Sequence, residues 1–590
     1  MSEEKSKPMR TLIIALLLIL IGSLLAGWVQ TGEGAAKIRE VRFYGVYNGY
    51  YVGYLWIPDG VTTGHPAPAV LATHGFNNSK EYMANTALEL ARRGYVVLAM
   101  DLDNHGLSDK SNTPKAPMGT PSLNGIGASD GLRFLRSLDI VDPDNVGMIG
   151  MSMGGNAIDA AAQQNPGAYR ALFFMDSGCT DSCPELTNWA ISVGKHTEVP
   201  PNFGAPNGVE IPNMPAAMAA YGTDQPVIPG HLYGSIEAGT ARIFYFHWGD
   251  HPISTDDPTS IGNAITWFGM TLKGGKDIPA SSQIWPLKVL GTGTAFVGFV
   301  IFLMGMGGVL LKTSYFGTLK DRIPEYKGNV GTMWWVFAII TAALGPVTLM
   351  WLFLKFFMPN PFHLEPVTTG FVGWLFVVGL LTILMLVVGY YAMGKKAGAT
   401  GVNYGFMWDG VGFDWKKIGK SFLLALTVIS IGYLILSVIT ALLKVDFRFW
   451  VVTLKTTDFR HFLVMFAYVI PLAIYFFPLA VVLHGTLRPQ NGKASFAREM
   501  LVNVFMLLIG FLILEARYYI PLTFFGAPSN FGPGGLGLIN GLALFAIVPA
   551  IALVSTYYFR KTGKIYVGAA INTLFVTWYL VACNTLYSFG

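Results

Sequence analysis

The 590-residue chain carries 40 Lys and Arg against 35 Asp and Glu, a net charge of +5, and is 52% hydrophobic. Only 13% of its residues are charged, against roughly 25% in an ordinary soluble domain, so the chain is not one soluble protein. Its basic residues lie mostly between apolar runs and form no nucleic-acid-binding patch, and three cysteines are too few for a disulfide scaffold or a zinc signature.

Lys5, Lys7 and Arg10 precede an almost purely apolar run over residues 11–29. About 20 such residues cross a bilayer. The run is longer than the ~7–15 residues of a signal-peptide core and lacks an Ala-x-Ala cleavage pattern. A retained anchor is therefore expected in preference to a cleaved signal, with residues 1–10 in the cytoplasm and the residues after the run outside.

Charges and turn residues crowd into the next 250 residues. Residues 38–46 and 50–56 alternate like the strands of a hairpin. Residues 66–73 form a short buried strand ending in His74-Gly75-Phe76-Asn77-Asn78. A helix over 80–93 closes at Gly94, and a second buried strand over 96–101 runs into His105-Gly106-Leu107-Ser108. A helix over 127–138 leads to the apolar run 146–149, which meets Gly150-x-Ser152-x-Gly154-Gly155. Glycines flanking one serine, with a strand before and a helix after, present a hydroxyl on a tight turn. Residues 170–175 are a strand. The Pro-, Gly- and Asn-rich stretch 178–213 is expected to leave the sheet as a candidate cap. Residues 214–221 are expected as a strand ending in Gly222-Thr223-Asp224. Residues 242–246 form the last strand, followed by His247 and Gly249-Asp250-His251, and a helix over 258–272 closes the domain. This strand–helix rhythm predicts a mostly parallel sheet with helices on both faces over 36–275. Active sites of such sheets lie at the carboxyl ends of the strands. Cys179 and Cys183 form a local disulfide if their loop faces an oxidising compartment, and are otherwise unpaired thiols.

A linker over 276–285 leads to eight apolar spans within 286–590: 286–311, 332–357, 367–392, 419–443, 461–483, 500–523, 536–558 and 565–587. With the α/β domain outside, the expected inner loops carry most of the Lys and Arg, from Lys312 to Lys564. The outer loops 359–366 and 524–535 have none. The outer loop 444–460 breaks the trend with Lys444, Arg448, Lys455 and Arg460. The overall bias fits the positive-inside rule and puts the C-terminus outside. Glu515 and Arg517 interrupt one span near its outer end and are expected to pair with each other or with a loop.

The motifs His74-Gly75-Phe76, Asp101-x-x-Asn-His105-Gly106-x-Ser108, Gly150-x-Ser152-x-Gly154-Gly155, Gly222-x-Asp224 and Gly249-Asp-His251 resemble the α/β-hydrolase superfamily, near the dienelactone-hydrolase-like esterases, cutinase-like polyester hydrolases and prolyl-oligopeptidase-type peptidases. The resemblance covers about 40% of the chain. It implies Ser152 as nucleophile, His251 as base, Asp224 as the acid that orients it, and the amides of Phe76 and Met153 as oxyanion hole. His247 is a rival for the base. His247 and His251 would suit a metal only on one helix turn, which Gly249 opposes. Asp250 and Asp256 are too close in sequence to His251 for the acid, and His74 and His105 fit structural roles. No metal or cofactor is expected. The expectation is a multi-pass cell-membrane serine hydrolase acting outside the cell on an ester, of a membrane lipid or lipid-linked molecule that the spans present. The layout of one span, a hydrolase domain and many spans loosely resembles GPI inositol-deacylases. Alternatives are a prolyl-oligopeptidase-like peptidase acting on exported peptides, and a transporter or sensor that uses the fold as a binding module.

Overall fold

The computed structural model describes residues 2–113, 124–179, 183–361, 363–528 and 534–587. Parts of the stretches 178–213, 359–366 and 524–535 lie outside these residues. Helix α1 (Ser2–Gln30) leads into strands β1 (Ala36–Tyr44) and β2 (Tyr50–Pro58), the expected antiparallel hairpin. There follow β3 (Ala67–Thr73), α2 (Ala84–Arg92), β4 (Val96–Met100), α3 (Ala128–Arg136), β5 (Val141–Met151), α4 (Met153–Gln164) and β6 (Ala171–Met175). Then come β7 (Trp189–Gly194), α5 (Pro215–Tyr221), β8 (Arg242–His247) and α6 (Pro258–Thr271). The eight strands form one sheet in the order β1-β2-β4-β3-β5-β6-β7-β8, parallel from β4 to β8.

The central strands are buried on both faces, as parallel strands covered by helices must be. Alternate residues serve two separate cores. Leu71, Leu98, Met148 and Phe174 pack with residues of α3 and α4, while Val70, Val97, Ile149 and Phe173 pack with α2 and α6. Two expectations change here. Within 178–213 the chain re-enters the sheet as β7, whose six residues are all buried and so show no alternation. Residues 214–221 are not a strand: Pro215 starts a helix and Gly222, at φ +65°, ends it.

The second half comprises α7 (Trp285–Leu310), a single turn α8 (Ser314–Gly317), α9 (Gly331–Phe357), α10 (Pro366–Gly389) and α11 (Trp415–Leu443). The short strands β9 (Phe447–Phe449) and β10 (Val452–Leu454) precede α12 (Phe459–Val481), α13 (Phe496–Phe525), α14 (Gly535–Gly541), α15 (Leu544–Thr562) and α16 (Tyr566–Cys583). Among the described residues, nine helices are long and apolar enough to cross a membrane, α1 included. The expected span 536–558 is divided into α14 and α15. Helix α16 is buried along nearly its whole length, enclosed by its neighbours. Glu515 and Arg517 do not pair. Two residues apart on a helix they face different ways, Glu515 into the bundle and Arg517 outward over the Tyr518 ring.

Helix α1 lies directly against α7. A Cβ at Gly22 would meet the Gly291 carbonyl oxygen at 2.5 Å, one at Gly298 would meet the Ile19 nitrogen at 2.9 Å, and one at Gly305 the Leu12 nitrogen at 2.9 Å. Glycines spaced by seven on α7 thus let two backbones touch, the usual way membrane helices gain contact where lipid removes the hydrophobic drive.

The two halves are joined by buried polar contacts around the loop after β3. Lys80 Nζ pairs with Asp101 Oδ2 at 2.8 Å, both side chains fully buried, and Lys455 Nζ reaches Glu81 Oε2 at 2.9 Å and Ser79 Oγ at 2.9 Å. Arg460 pairs with Asp109 and Asp458, and Arg448 with Asp446. Three of the four cations that break the charge trend in 444–460 are therefore committed to nearby carboxylates. Removing one partner of a buried pair leaves the other charged without a counterion. Lys80→Met is expected to cost about 3–5 kcal/mol of stability, read as a lowered unfolding temperature of the full chain in detergent.

Candidate active site

Strand β5 ends at Met151 and α4 begins at Met153, which leaves Ser152 alone on the turn at φ +53°, ψ −119°. A non-glycine residue held there costs about 1–3 kcal/mol. The turn is fixed by the Ser152 N–H donating to Met175 O at 3.0 Å and the Gly155 N–H donating to Ser152 O at 2.8 Å. The flanking glycines are needed for space. A Cβ at Gly150 would lie 2.2 Å from Gly154 O, and one at Gly154 would lie 2.4 Å from Thr73 O.

His251, in the loop after β8, places Nε2 2.9 Å from Ser152 Oγ. Its Nδ1 faces Asp176 Oδ1 at 3.8 Å, an ion-pair separation longer than a hydrogen bond. Asp176 directly follows β6. Its Oδ2 lies 3.0 Å from His247 Nε2 and accepts the Ser254 hydroxyl, and its Oδ1 accepts the Gly194 N–H at 3.2 Å. One carboxylate therefore serves both histidines, His247 at the end of β8 and His251 in the loop after it. Burial alone would raise its pKa, but the two imidazoles outweigh it and hold Asp176 below the usual carboxylate range. Burial pushes His251 down, yet Asp176, Glu198 and Asp250 together raise it above its ordinary 6.5.

Asp224 is not brought to this place. It is exposed, just past the end of α5, beside a turn in which Thr223 and Gln225 bond each other. The reason is local: with 215–221 helical, Asp224 no longer stands at the carboxyl end of a strand. Asp176 does, directly after the apolar run Ala171–Met175, and that placement is the signal available in the sequence. Sequence reasoning also missed Glu198. Its Oε2 accepts the His251 backbone N–H at 2.7 Å and its Oε1 accepts the Tyr519 hydroxyl of α13 at 2.5 Å. Burial, then Asp250, pushes the Glu198 carboxyl up to about 8.

Met153 is the first residue of α4, so its N–H has no acceptor within the helix. Phe76, half-buried, sits in the loop after β3 and lines the same cavity as Ser152. These amides occupy the ends of two elements that meet at the serine. His74 donates from Nδ1 to Gly75 O and accepts the Leu102 N–H at Nε2, which spends both ring nitrogens on loop geometry, and burial drives it down to about 3. His105 bonds Asp103 O through Nδ1, and burial drives it down to about 4.

A cavity of about 270 Å³ begins at Ser152 and continues into the helical bundle. Phe76, Ser152 and His251 line one end, and Trp374, Phe511 and Ile551 lie among the bundle residues that line the rest.

Residues 68–196 match the family model for the alpha/beta hydrolase fold. The first half of this chain has the α/β-hydrolase fold. Among solved structures it is similar to a hypothetical protein from Pseudomonas aeruginosa at 27% identity, over 24% of this chain and 42% of that one, with a TM-score of 0.21. It is also similar to a CIB-like hydrolase from Thermoplasma acidophilum (14% identity, 40% of this chain and 98% of that one, TM-score 0.29). A dienelactone hydrolase from Anabaena variabilis gives 16% identity, 40% and 100% coverage and a TM-score of 0.29. No curated protein matches the chain.

At 2.9 Å from Ser152 Oγ, His251 Nε2 is placed to accept the serine proton only as the neutral imidazole, so the reactivity of Ser152 is expected to fall as pH drops through the histidine's pKa. The rate at which a fluorophosphonate captures Ser152 is expected to rise with pH through a midpoint above 6.5. Asp176→Asn removes a charge that holds the midpoint up, so in that variant it moves to lower pH.

Proposed function

We propose that the chain is a membrane-integral serine hydrolase that cleaves a lipid or lipid-linked ester through an acyl-serine intermediate, with its active site outside the cytoplasm. The observation that carries the lipid substrate is the cavity from Ser152 into the bundle. Its lining is mostly apolar, which suits a hydrocarbon chain. A peptide there would leave its amide groups without partners, at roughly 1–3 kcal/mol each.

Ser152 Oγ attacks the ester carbonyl while His251 Nε2 takes its proton. Asp176, in the role first expected of Asp224, orients the imidazole and stabilises its charged form. The Met153 and Phe76 amides receive the oxyanion. Collapse expels the alcohol, which takes the proton from His251. Water then attacks the acyl-serine with His251 again as base, releasing the carboxylic acid and restoring Ser152. Two features support an active site outside the cytoplasm. Cys179 and Cys183 are joined in a disulfide, a bond that persists in oxidising compartments. The inner loops expected from the sequence also hold most of the basic residues of the second half.

A fluorophosphonate is expected to label the wild type in membranes and to leave Ser152→Ala unlabelled. In ester hydrolysis Asp176→Asn should lose about 10³–10⁴-fold in kcat, while Asp224→Asn keeps the wild-type rate. An unlabelled wild type overturns the enzyme reading, and a Ser152→Ala variant that keeps its cellular function favours a binding module.

A further inference from the structure

Deeper in the bundle a second cavity of about 40 Å³ lies among α9, α10, α12, α13 and α15, with Gly345, Pro346, Val378 and Leu507 in its lining. Four side chains line both this space and the cavity that begins at Ser152: Tyr475 of α12, Phe511 of α13, and Val548 and Ile551 of α15. They therefore stand between the two. Phe511, Val548 and Ile551 are buried.

The wall is built to hold its position. The Phe511 ring meets the Trp374 ring edge-on, with centroids 6.0 Å apart and planes at 86°. Trp374 is itself pinned, its Nε1–H donating to Gly345 O at 3.1 Å and to Thr348 Oγ1 at 3.2 Å. Behind Phe511, α13 presses on α9 so closely that a Cβ on Gly510 would lie 2.1 Å from Ala342 O. On the sides of Trp374 and α9 the ring has no room to retreat without moving a helix.

We propose that Tyr475, Phe511, Val548 and Ile551 form the floor that sets how long an acyl chain the hydrolase accepts. The inference rests on the serine-hydrolase reading above and adds to it which arm of the ester enters the bundle. The acyl group stays bonded to Ser152 Oγ until water releases it, whereas the alcohol has to depart between the two steps. An apolar cavity closed by a wall at its far end suits the arm that stays. Chains that reach the floor bury every methylene group. Longer ones must fold back or leave the terminal carbons outside, and lose the gain.

The test is the acyl-length profile of p-nitrophenyl esters, acetate to stearate, with full-length protein in detergent. Rates are normalised to the acetyl ester within each variant. The wild-type kcat/KM is expected to rise by about fourfold per added methylene group, the factor set by burying one such group, and then to fall beyond a cut-off. Phe511→Ala and Ile551→Ala open the way to the second cavity and move the cut-off to longer chains, by about two methylene groups or more, with the same factor per group. Val548→Phe thickens the floor and moves the cut-off to shorter chains. Because these variants act in opposite directions, the outcome does not hang on any one of them folding. A cut-off at the same length in all three overturns the floor and leaves the serine-hydrolase reading in place. A wild type that hydrolyses no ester of the series defeats that reading instead.

Discussion

An ammonium and a carboxylate shut away from water have to satisfy each other, and the pair Lys80–Asp101, with no exposed surface on either side chain, does so just behind the loop that follows β3. Lys80 begins the turn that follows the loop carrying Phe76, and Asp101 directly follows the neighbouring strand β4. Their pairing ties the loop after β3 to the sheet. Glu81, the next residue, is within 3.3 Å of Lys80 and carries the connection onward to Lys455 in the bundle. The position of the Phe76 amide therefore depends on charges supplied by both halves. The apolar helices of the second half are consequently part of the candidate site, whose cavity they also line.

The same holds on the other side of the serine. Tyr519 belongs to a helix long and apolar enough to cross a membrane, yet its hydroxyl reaches Glu198, which in turn holds the backbone of His251. His251, the proposed base, thus receives support from outside its own fold. An arrangement of this kind also leaves little room for the α/β domain to swing away from the bundle. The cavity that crosses the boundary is a fixed passage between two docked bodies.

Much of this is legible in the residues. The nucleophile elbow, the hairpin, the alternation of buried strands and helices, and the apolar spans all carry short-range signals. The features that escape a reading of the sequence are decided at long range. Strand β7 is buried on both faces and sits among prolines and glycines, so nothing in its pattern distinguishes it from a loop. Asp224 attracts attention because it follows a glycine at the end of a strand-like run. That run is helical, because Pro215 and Gly222 are a better start and stop for a helix than for a strand. Asp176 stands in full view at the end of an apolar strand. The basic residues of 444–460, anomalous by the rule for membrane loops, become intelligible once the carboxylates facing three of them are known. Glu198 carries no signal at all, since its partners are 53 and 321 positions away.

Residues 584–587, beyond the end of α16, lie along the loops that follow β3 and β4. Asn77 Nδ2 donates to Asn584 Oδ1 at 2.5 Å across 507 positions of sequence, the Thr585 hydroxyl donates to Asn78 O, the Gly106 N–H donates to Thr585 O at 3.1 Å, and the Tyr587 N–H donates to Asn104 O at 3.2 Å. During synthesis Ser152, His251 and Asp176 all emerge hundreds of residues before this segment exists. The loop after β3 therefore gains these contacts only once α16 has docked, so its final geometry is set by the last part of the chain to be made.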